Sequence, residues 1–314
     1  MYPESRIQNL KDRAYMLSQV RSFFCSKNVL EVDTPLLSHS APIDEHIDIM
    51  SVDLQNTKGY LHSSPEYAMK RLLSLGIGDI FQLSHVFRLG EIGRLHNPEF
   101  TMIEWYRTRL SFETFIEETV SLIQLFLGPY PHKHISYREA FRKYAHIDYV
   151  HASVQDLLQC ATSHGIDLSS PSSWDFDALL QLLMGSVIEP HLGQEEITVL
   201  GDYPSSQAAL AKTEQKGDEK VAKRFEIYFQ GIELANGYLE LTDGKEQRTR
   251  FLQSNEKRQK AGKESLPIDE HFLEALEKGF PECCGVAVGF DRLLMLKQKA
   301  SSLKEILPFS WDEI

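Results

Sequence analysis

The chain has 314 residues, 42% of them hydrophobic and 25% charged, and a formal net charge of −12. This composition excludes low-complexity, collagen-like and disulfide-scaffold chains and suits a folded enzyme. No apolar run approaches the roughly 18 residues of a membrane span, and MYPESRIQNLKDR lacks the apolar core of a signal peptide. The acidic balance argues against a broad nucleic-acid face, so a cytoplasmic protein with no membrane or tRNA partner is expected.

Residues 5–27 are expected to form an amphipathic helix, with Ile7, Leu10, Ala14, Leu17, Val20 and Phe24 at helical spacing. Val29 to Val32 reads as a strand. Pro35 beyond it belongs at an edge or an interface, because it cannot donate to a ladder. Residues 36–58, with Asp44, Glu45 and Asp48, read as a loop or a strand pair of no assigned chemistry. A helix is expected from Tyr67 to Leu75, capped by Ser63 or Ser64 with Pro65 in its first turn. Glu66 there is either a dipole complement or a ligand group.

Residues 81–106 read as two strands around a charged loop. Arg88, Arg94, His96 and Asn97 supply planar forks and point donors suited to a polyphosphate, although a solvated turn would look similar. Glu104, between Ile103 and Trp105, faces solvent or waits for a cation. A helix from Ser111 to Leu127 follows. Short helical patterns lie at Tyr137–Tyr144, Val154–His164 and Phe176–Val187, the last capped from a loop at 169–175. His132, His134, His146, His151, His164 and His191 are scattered and read as surface or structural. Ile197 to Leu200 is a short strand, Tyr203 to Leu210 a loop, and 212–220 a solvated, mobile turn.

Arg224 to Leu241 reads as two strands around Gln230-Gly231, carrying Glu226, Glu233 and Glu240 on an apolar background. A carboxylate buried there without a partner costs several kcal/mol or takes up a proton, so these three sit on a wet face or bind cations. Asp243 to Gly262 and Asp269 to Lys278 are helical. A strand from Cys284 then leads through Gly289 into a helix with Arg292 in its first turn, where an anion would offset the unfavourable dipole. Cys25, Cys160, Cys283 and Cys284 form no C-x-x-C pair and are expected as buried free thiols.

Three of these stretches resemble, in order, the motifs of class II aminoacyl-tRNA synthetases. FFCSKNVLEVDTPLL resembles motif 1, which builds a dimer interface. Phe87-Arg88, a charged loop and HNPEFTMIEWY resemble motif 2, and GVAVGFDR resembles motif 3. The motif 2 stretch narrows the likeness to the lysyl branch, while SPEYAMKRLL, GRLHNPEFTMIEWY, SSQAALA and GIELANG look closer to a truncated paralogue family than to the synthetases themselves. Only some twenty residues precede motif 1, where a lysyl-tRNA synthetase carries an anticodon-reading barrel. The chain is therefore similar to the truncated elongation factor P–lysine ligase family.

That resemblance implies one α+β catalytic domain over 1–314, an antiparallel sheet flanked by helices, with a helical insertion at about 129–200 and no anticodon-binding domain. It implies a homodimer that uses ATP and Mg²⁺ to activate lysine, preferably (R)-β-lysine, and passes it to a lysine of elongation factor P. Arg88 and Arg292 would be catalytic. Arg88, Glu91, Arg94, His96, Asn97, Phe100, Glu233, Leu234, Gly289 and Arg292 would hold ATP. Glu226 and Glu233 would hold the metal. Ser64, Pro65, Glu66, Glu104, Tyr106, Asn236, Tyr238, Glu240 and Ala287 would hold the amino acid. The family's R-x-E is Arg88-Leu-Gly-Glu91 here, with the acid one residue late, and Ala287 stands where lysyl synthetases have Gly. A minimal lysyl-tRNA synthetase and a non-catalytic regulatory paralogue are the competing readings.

Overall fold

The computed structural model describes residues 4–168 and 174–314, so most of the expected loop at 169–175 lies outside the described residues. The chain divides into two compact units, Met1–Pro129 with Glu240–Ile314, and Tyr130–Leu239. In chain order the first unit begins with α1 (Glu4–Cys25), β1 (Leu30–Glu31), β2 (Leu37–Ser38), β3 (Ser51–Leu54), β4 (Thr57–Leu61), α2 (Glu66–Ser74), β5 (Ile80–Phe87), β6 (Glu99–Arg107) and α3 (Phe112–Leu127). The second unit holds β7 (His132–Ser136), α4 (Tyr137–Ala140), α5 (Val154–Ser163), α6 (Phe176–Leu183), β8 (Ile197–Pro204), β9 (Thr213–Lys216), β10 (Glu219–Phe229) and β11 (Ile232–Leu239). The first unit closes with α7 (Gly244–Lys260), α8 (Glu270–Glu277), β12 (Cys284–Gly289) and α9 (Phe290–Lys297).

In the first unit the strand order is β1-β5-β6-β12, antiparallel except for the β1–β5 pair, beside a small antiparallel sheet β2-β4-β3. Side chains alternate across a strand, so β6 presents Ile103 and Trp105 to one face and Met102, Glu104 and Tyr106 to the other. Trp105 packs on Phe24 of α1 and Phe115 of α3, which defines the core face. On β12, Val288 and Val286 stand opposite Ile103 and Trp105. Gly289, Ala287 and Gly285 stand opposite Met102, Glu104 and Tyr106. The polar face thus receives three small residues from its neighbour.

In the second unit the order is β11-β10-β8-β7, with β9 paired to β10. The β7–β8 pair is parallel. Its core gathers Tyr137, Phe141, Leu157, Leu179, Leu180, Leu183, Leu200 and Tyr203. The expected mixed α and β class, a mostly antiparallel sheet flanked by helices, is what the chain adopts.

Several expectations need correction. On α1 the buried residues are Met16, Val20 and Phe24, four apart, whereas Ile7 is 54% and Leu10 40% exposed, and Ala14 is exposed too. Residues 36–58 contribute strands to a three-stranded sheet rather than one pair. The 212–220 stretch is a β9–β10 hairpin turning at Gly217 (φ +63°), so its charges ride on paired strands. Pro65, not a serine, occupies the cap position of α2, and the Ser64 hydroxyl accepts from the Glu66 amide at 3.1 Å. Asp175, Asp243 and Asp269 do cap their helices through side-chain oxygens. Cys25 is exposed while the other three thiols are buried.

Candidate active site

On the polar face of β6 and its surroundings lie three carboxylates, and they are buried. Glu66 is 8%, Glu104 2% and Glu240 1% exposed. Glu240 and Glu104 thereby overturn the wet-face and solvent-facing alternatives for those positions. Their partners differ. The Ser64 hydroxyl donates to one Glu104 oxygen at 2.7 Å and the Tyr106 hydroxyl to the other at 2.8 Å. Glu66 and Glu240 instead share Lys70, whose Nζ lies 2.6 Å from each. Lys70 is itself 1% exposed. Burial works against its ammonium, but Glu240 and Glu66 hold its pKa above the ordinary lysine range. Ala287 faces Glu104 across the β6–β12 pair, so its methyl borders the same space.

Burial pushes the Glu104 carboxyl up to about 7, neighbouring Glu66 adds to the shift, and the Ser64 and Tyr106 hydroxyls with Lys70 oppose it. A protonated carboxyl cannot pair with an ammonium, so a cationic ligand must displace a proton below that pH. The apparent affinity for an amine ligand is therefore expected to fall about tenfold per pH unit below about 7 and to level off above it. Ser64→Ala deletes a donor that favours the carboxylate, and should move this acid limb to higher pH. A limb that stays in place when KM is measured across pH would refute the assignment to Glu104.

A second cluster surrounds the β5–β6 loop. The Arg88 guanidinium sits 5.1 Å over the Phe100 ring, with Nη1 3.5 Å from Glu91. Its Nε is buried with no hydrogen-bond partner among the described residues. A buried donor left unmade costs about 1–3 kcal/mol, which an arriving anion would recover. The Arg292 guanidinium meets His96 Nε2 at 2.9 Å. Partial burial and Arg292 push the His96 pKa down, so the imidazole is neutral and accepts from the guanidinium. Arg94 and Asn97 are engaged with the C-terminal segment, Arg94 donating to the Ser301 carbonyl at 3.2 Å and Asn97 accepting from the Trp311 amide at 3.1 Å. Gly90, where the expected acid is missing, has φ +80°, and the Leu89 amide donates to the Asp48 carbonyl at 2.8 Å. Asp291 is spent on structure: it accepts from the Thr101 amide at 2.7 Å and pairs with Arg13, which also donates to the Thr101 hydroxyl at 2.5 Å. That tie fixes the start of α9, which carries Arg292.

In the second unit, Glu226 stands opposite Asn236, and Glu233 opposite Tyr228. Glu226 is buried and accepts from Tyr203, from Tyr228 at 2.5 Å and from Arg224 at 2.6 Å. Arg224 also donates to Asn236 at 3.2 Å and lies 6.0 Å from the Tyr238 ring. As arranged, Glu226 does not fit a Mg²⁺ ligand: a hard cation there would need the tyrosine hydroxyls or Arg224 to let go. Glu233 is half-buried and Leu234 is buried.

Two residues of this geometry escape a reading of the sequence as residue roles. Lys70 lies four positions after Glu66 on a helix, the spacing of an intrahelical ion pair, and that signal was available. Gly285 was not visible until the register placed it opposite Tyr106.

A motif-bearing antiparallel sheet, an arginine at the end of β5 and another opening α9 are the features of a class II synthetase catalytic fold. Residues 2–313 match the family of class II tRNA synthetases (D, K and N). Over 99% of its length the chain is 42% identical to the elongation factor P–(R)-β-lysine ligase of Salmonella arizonae, covering 97% of that protein. It is 43% identical, with the same coverage, to the ligases of that name from Salmonella dublin and Salmonella paratyphi B. The chain belongs to the class II family and, within it, to the elongation factor P–(R)-β-lysine ligases.

Proposed function

We propose that the chain activates (R)-β-lysine with ATP as an aminoacyl-adenylate and transfers it to a lysine side chain of elongation factor P. The observation that carries this reading is the surplus of buried carboxylate over ammonium around Glu104. Desolvated carboxylates need cations, and a diamino acid brings two. Ser64, Pro65, Glu66, Glu104, Tyr106, Glu240 and Ala287 hold the amino acid in this reading, and the family likeness assigns Asn236 and Tyr238 to the same ligand.

The amino acid's carboxylate attacks the α-phosphorus of ATP and pyrophosphate leaves. Alignment and neutralisation of developing charge supply the rate, and no protein nucleophile is needed. Arg88 takes the α-phosphate and Arg292 the γ-phosphate. Phe100 stacks on adenine, as an aromatic face that already carries a guanidinium can. Glu91, Arg94, His96, Asn97 and Gly289 contribute further nucleotide contacts, and the family likeness assigns Glu233 and Leu234 to the same ligand. Mg²⁺ accompanies the phosphates of ATP, and no step is routed through Glu226. In the second step the acceptor's amine attacks the acyl carbonyl and AMP departs.

Amino-acid-dependent ATP–pyrophosphate exchange, with (R)-β-lysine against α-lysine, tests the first step, and label transfer to elongation factor P or to tRNA tests the second. Exchange favouring β-lysine with label on elongation factor P is the expected result. Label on tRNA would instead identify a minimal synthetase, and absence of exchange with both amino acids would leave a regulatory paralogue. The protein acts as a homodimer in this reading, through the exposed Ile7, Leu10 and Tyr15 of α1 and Leu30 of β1. Leu10→Glu should then halve the mass seen in sedimentation. A wild-type protein sedimenting as a monomer at assay concentration would contradict the dimer.

A further inference from the structure

We propose that Lys70 is a positioning and specificity-determining residue: a built-in ammonium that bridges Glu66 and Glu240 and tunes the pocket's charge to match a substrate with two protonated amino groups. This rests on the amino-acid pocket proposed above and deepens it.

The geometry is a bridge. Glu66 and Lys70 are four apart on α2, and Glu240 comes from the segment entering α7, yet both carboxylates reach the same Nζ at 2.6 Å. The bridge is dry, since Lys70 and Glu240 are each 1% exposed. The Glu240 amide is in turn held by the Cys283 carbonyl at 3.0 Å, just before β12. Lys70 therefore joins a helix to the chain beside the sheet at the point where the carboxylates must converge. Phe272 and Tyr106 rings lie 5.8 and 6.0 Å from Nζ and close its surroundings without adding a charge.

Fully ionised, as a cationic ligand would make them, three carboxylates against one ammonium carry two net negative charges, and these three acids differ in how they are held. Glu104 has only hydroxyl donors, so among the described residues it has no ion-pair partner of its own. Glu66 and Glu240 share one cation between them, so their remaining charge equals that of a single carboxylate. The pocket thus offers the equivalent of two full anionic sites. A mono-amine leaves one of them buried and unpaired, which is costly, and a diamino acid leaves neither. Without Lys70 the three acids would repel one another, and the cheapest response is protonation of one or two of them. Lys70 opposes that response: burial pushes the Glu240 carboxyl up to about 8 and Glu104 up to about 7, and the ammonium pulls both back down.

Lys70→Met removes the charge while an unbranched side chain of similar length fills the space. In pyrophosphate exchange its KM for (R)-β-lysine should rise at least ~10-fold while its KM for ATP stays within about twofold. The acid limb of the β-lysine KM should move up by about one pH unit, because the Glu104 carboxyl loses the nearby ammonium that pulls its pKa down. Lys70→Arg keeps the charge in a bulkier fork. It should raise KM without moving the limb, and this rescue separates charge from packing. Wild-type activity with Lys70→Met matching wild type in KM and limb would overturn the role of Lys70 alone. Inactivity of the wild type with β-lysine would instead overturn the underlying reading. Should Lys70→Met not fold, Lys70→Arg decides: a raised KM for β-lysine with the limb left in place supports the proposal, and an unchanged KM or a limb displaced upward overturns it.

Discussion

Arg88→Met is expected to lower kcat for amino-acid-dependent pyrophosphate exchange by about 10²–10³-fold, with KM for (R)-β-lysine changed less than about threefold. Removing one donor aimed at developing charge typically costs 10²–10³ in kcat, or about 2.7–4 kcal/mol. Among the described residues, Arg88 has a buried Nε with no hydrogen-bond partner, and its guanidinium approaches Glu91 at 3.5 Å. A donor in that state is held in place by the β5 strand end and by Phe100, not by hydrogen bonds it would have to give up. Its interaction with an anion is therefore gained when the anion arrives. Methionine retains the stem against Phe100, so melting temperature should change little. Arg88→Lys should remain at least ~10-fold impaired, because a point charge cannot reproduce the fork. Steady-state exchange with ATP and β-lysine varied separately checks this. A kcat within threefold of wild type would remove Arg88 from the chemistry.

Much of the scaffold for that prediction was legible in the sequence. The strand–loop–strand expected at residues 81–106, the glycine strand leading to Arg292 and the helix starts at Ser111 and Asp175 all follow from periodicity and turn chemistry, and the structure has them. The carboxylate pocket was legible in its members but not in its balance. Glu66, Glu104 and Glu240 could be named from motif words. Whether they faced water or a cation could not be, because their burial depends on strand register. The answer for Glu66 and Glu240 is a cation within the chain, Lys70, which motif words passed over as an ordinary helix residue. Glu226 shows a different limit. Its motif marks it for a metal, while Tyr203, Tyr228 and Arg224 surround it from strands whose pairing no local pattern reveals. Exposed Ile7 and Leu10 on α1 mark a further limit. Helical spacing shows that a face exists but not what covers it.

Gly285→Ala is the substitution expected to damage the amino-acid pocket most at the least chemical cost. The backbone is no obstacle there, since Gly285 is not among the residues at positive φ. The obstacle is space: an added Cβ would lie 2.3 Å from Glu240 Oε1 and 2.3 Å from Tyr106 Cε1. Neither neighbour is the loose end of a surface side chain. Glu240 is 1% exposed and bound to Lys70, and Tyr106 is 2% exposed and donates to Glu104. One of those two interactions must break, and either loss displaces a carboxylate from the pocket. Overpacking of this kind costs about 1–3 kcal/mol, so melting should fall by several degrees. The kcat/KM for β-lysine should fall about 100-fold with the KM for ATP within about twofold. Gly289, on the same face of the same strand, is the internal control. Its added Cβ would meet only Arg292 side-chain carbons at 3.7–3.8 Å, an ordinary contact. Gly289→Ala should therefore leave the KM for β-lysine near wild type. Equal effects of the two substitutions on that KM would mean that β12 tolerates a methyl anywhere along this face, and that Glu240 is not pinned against it.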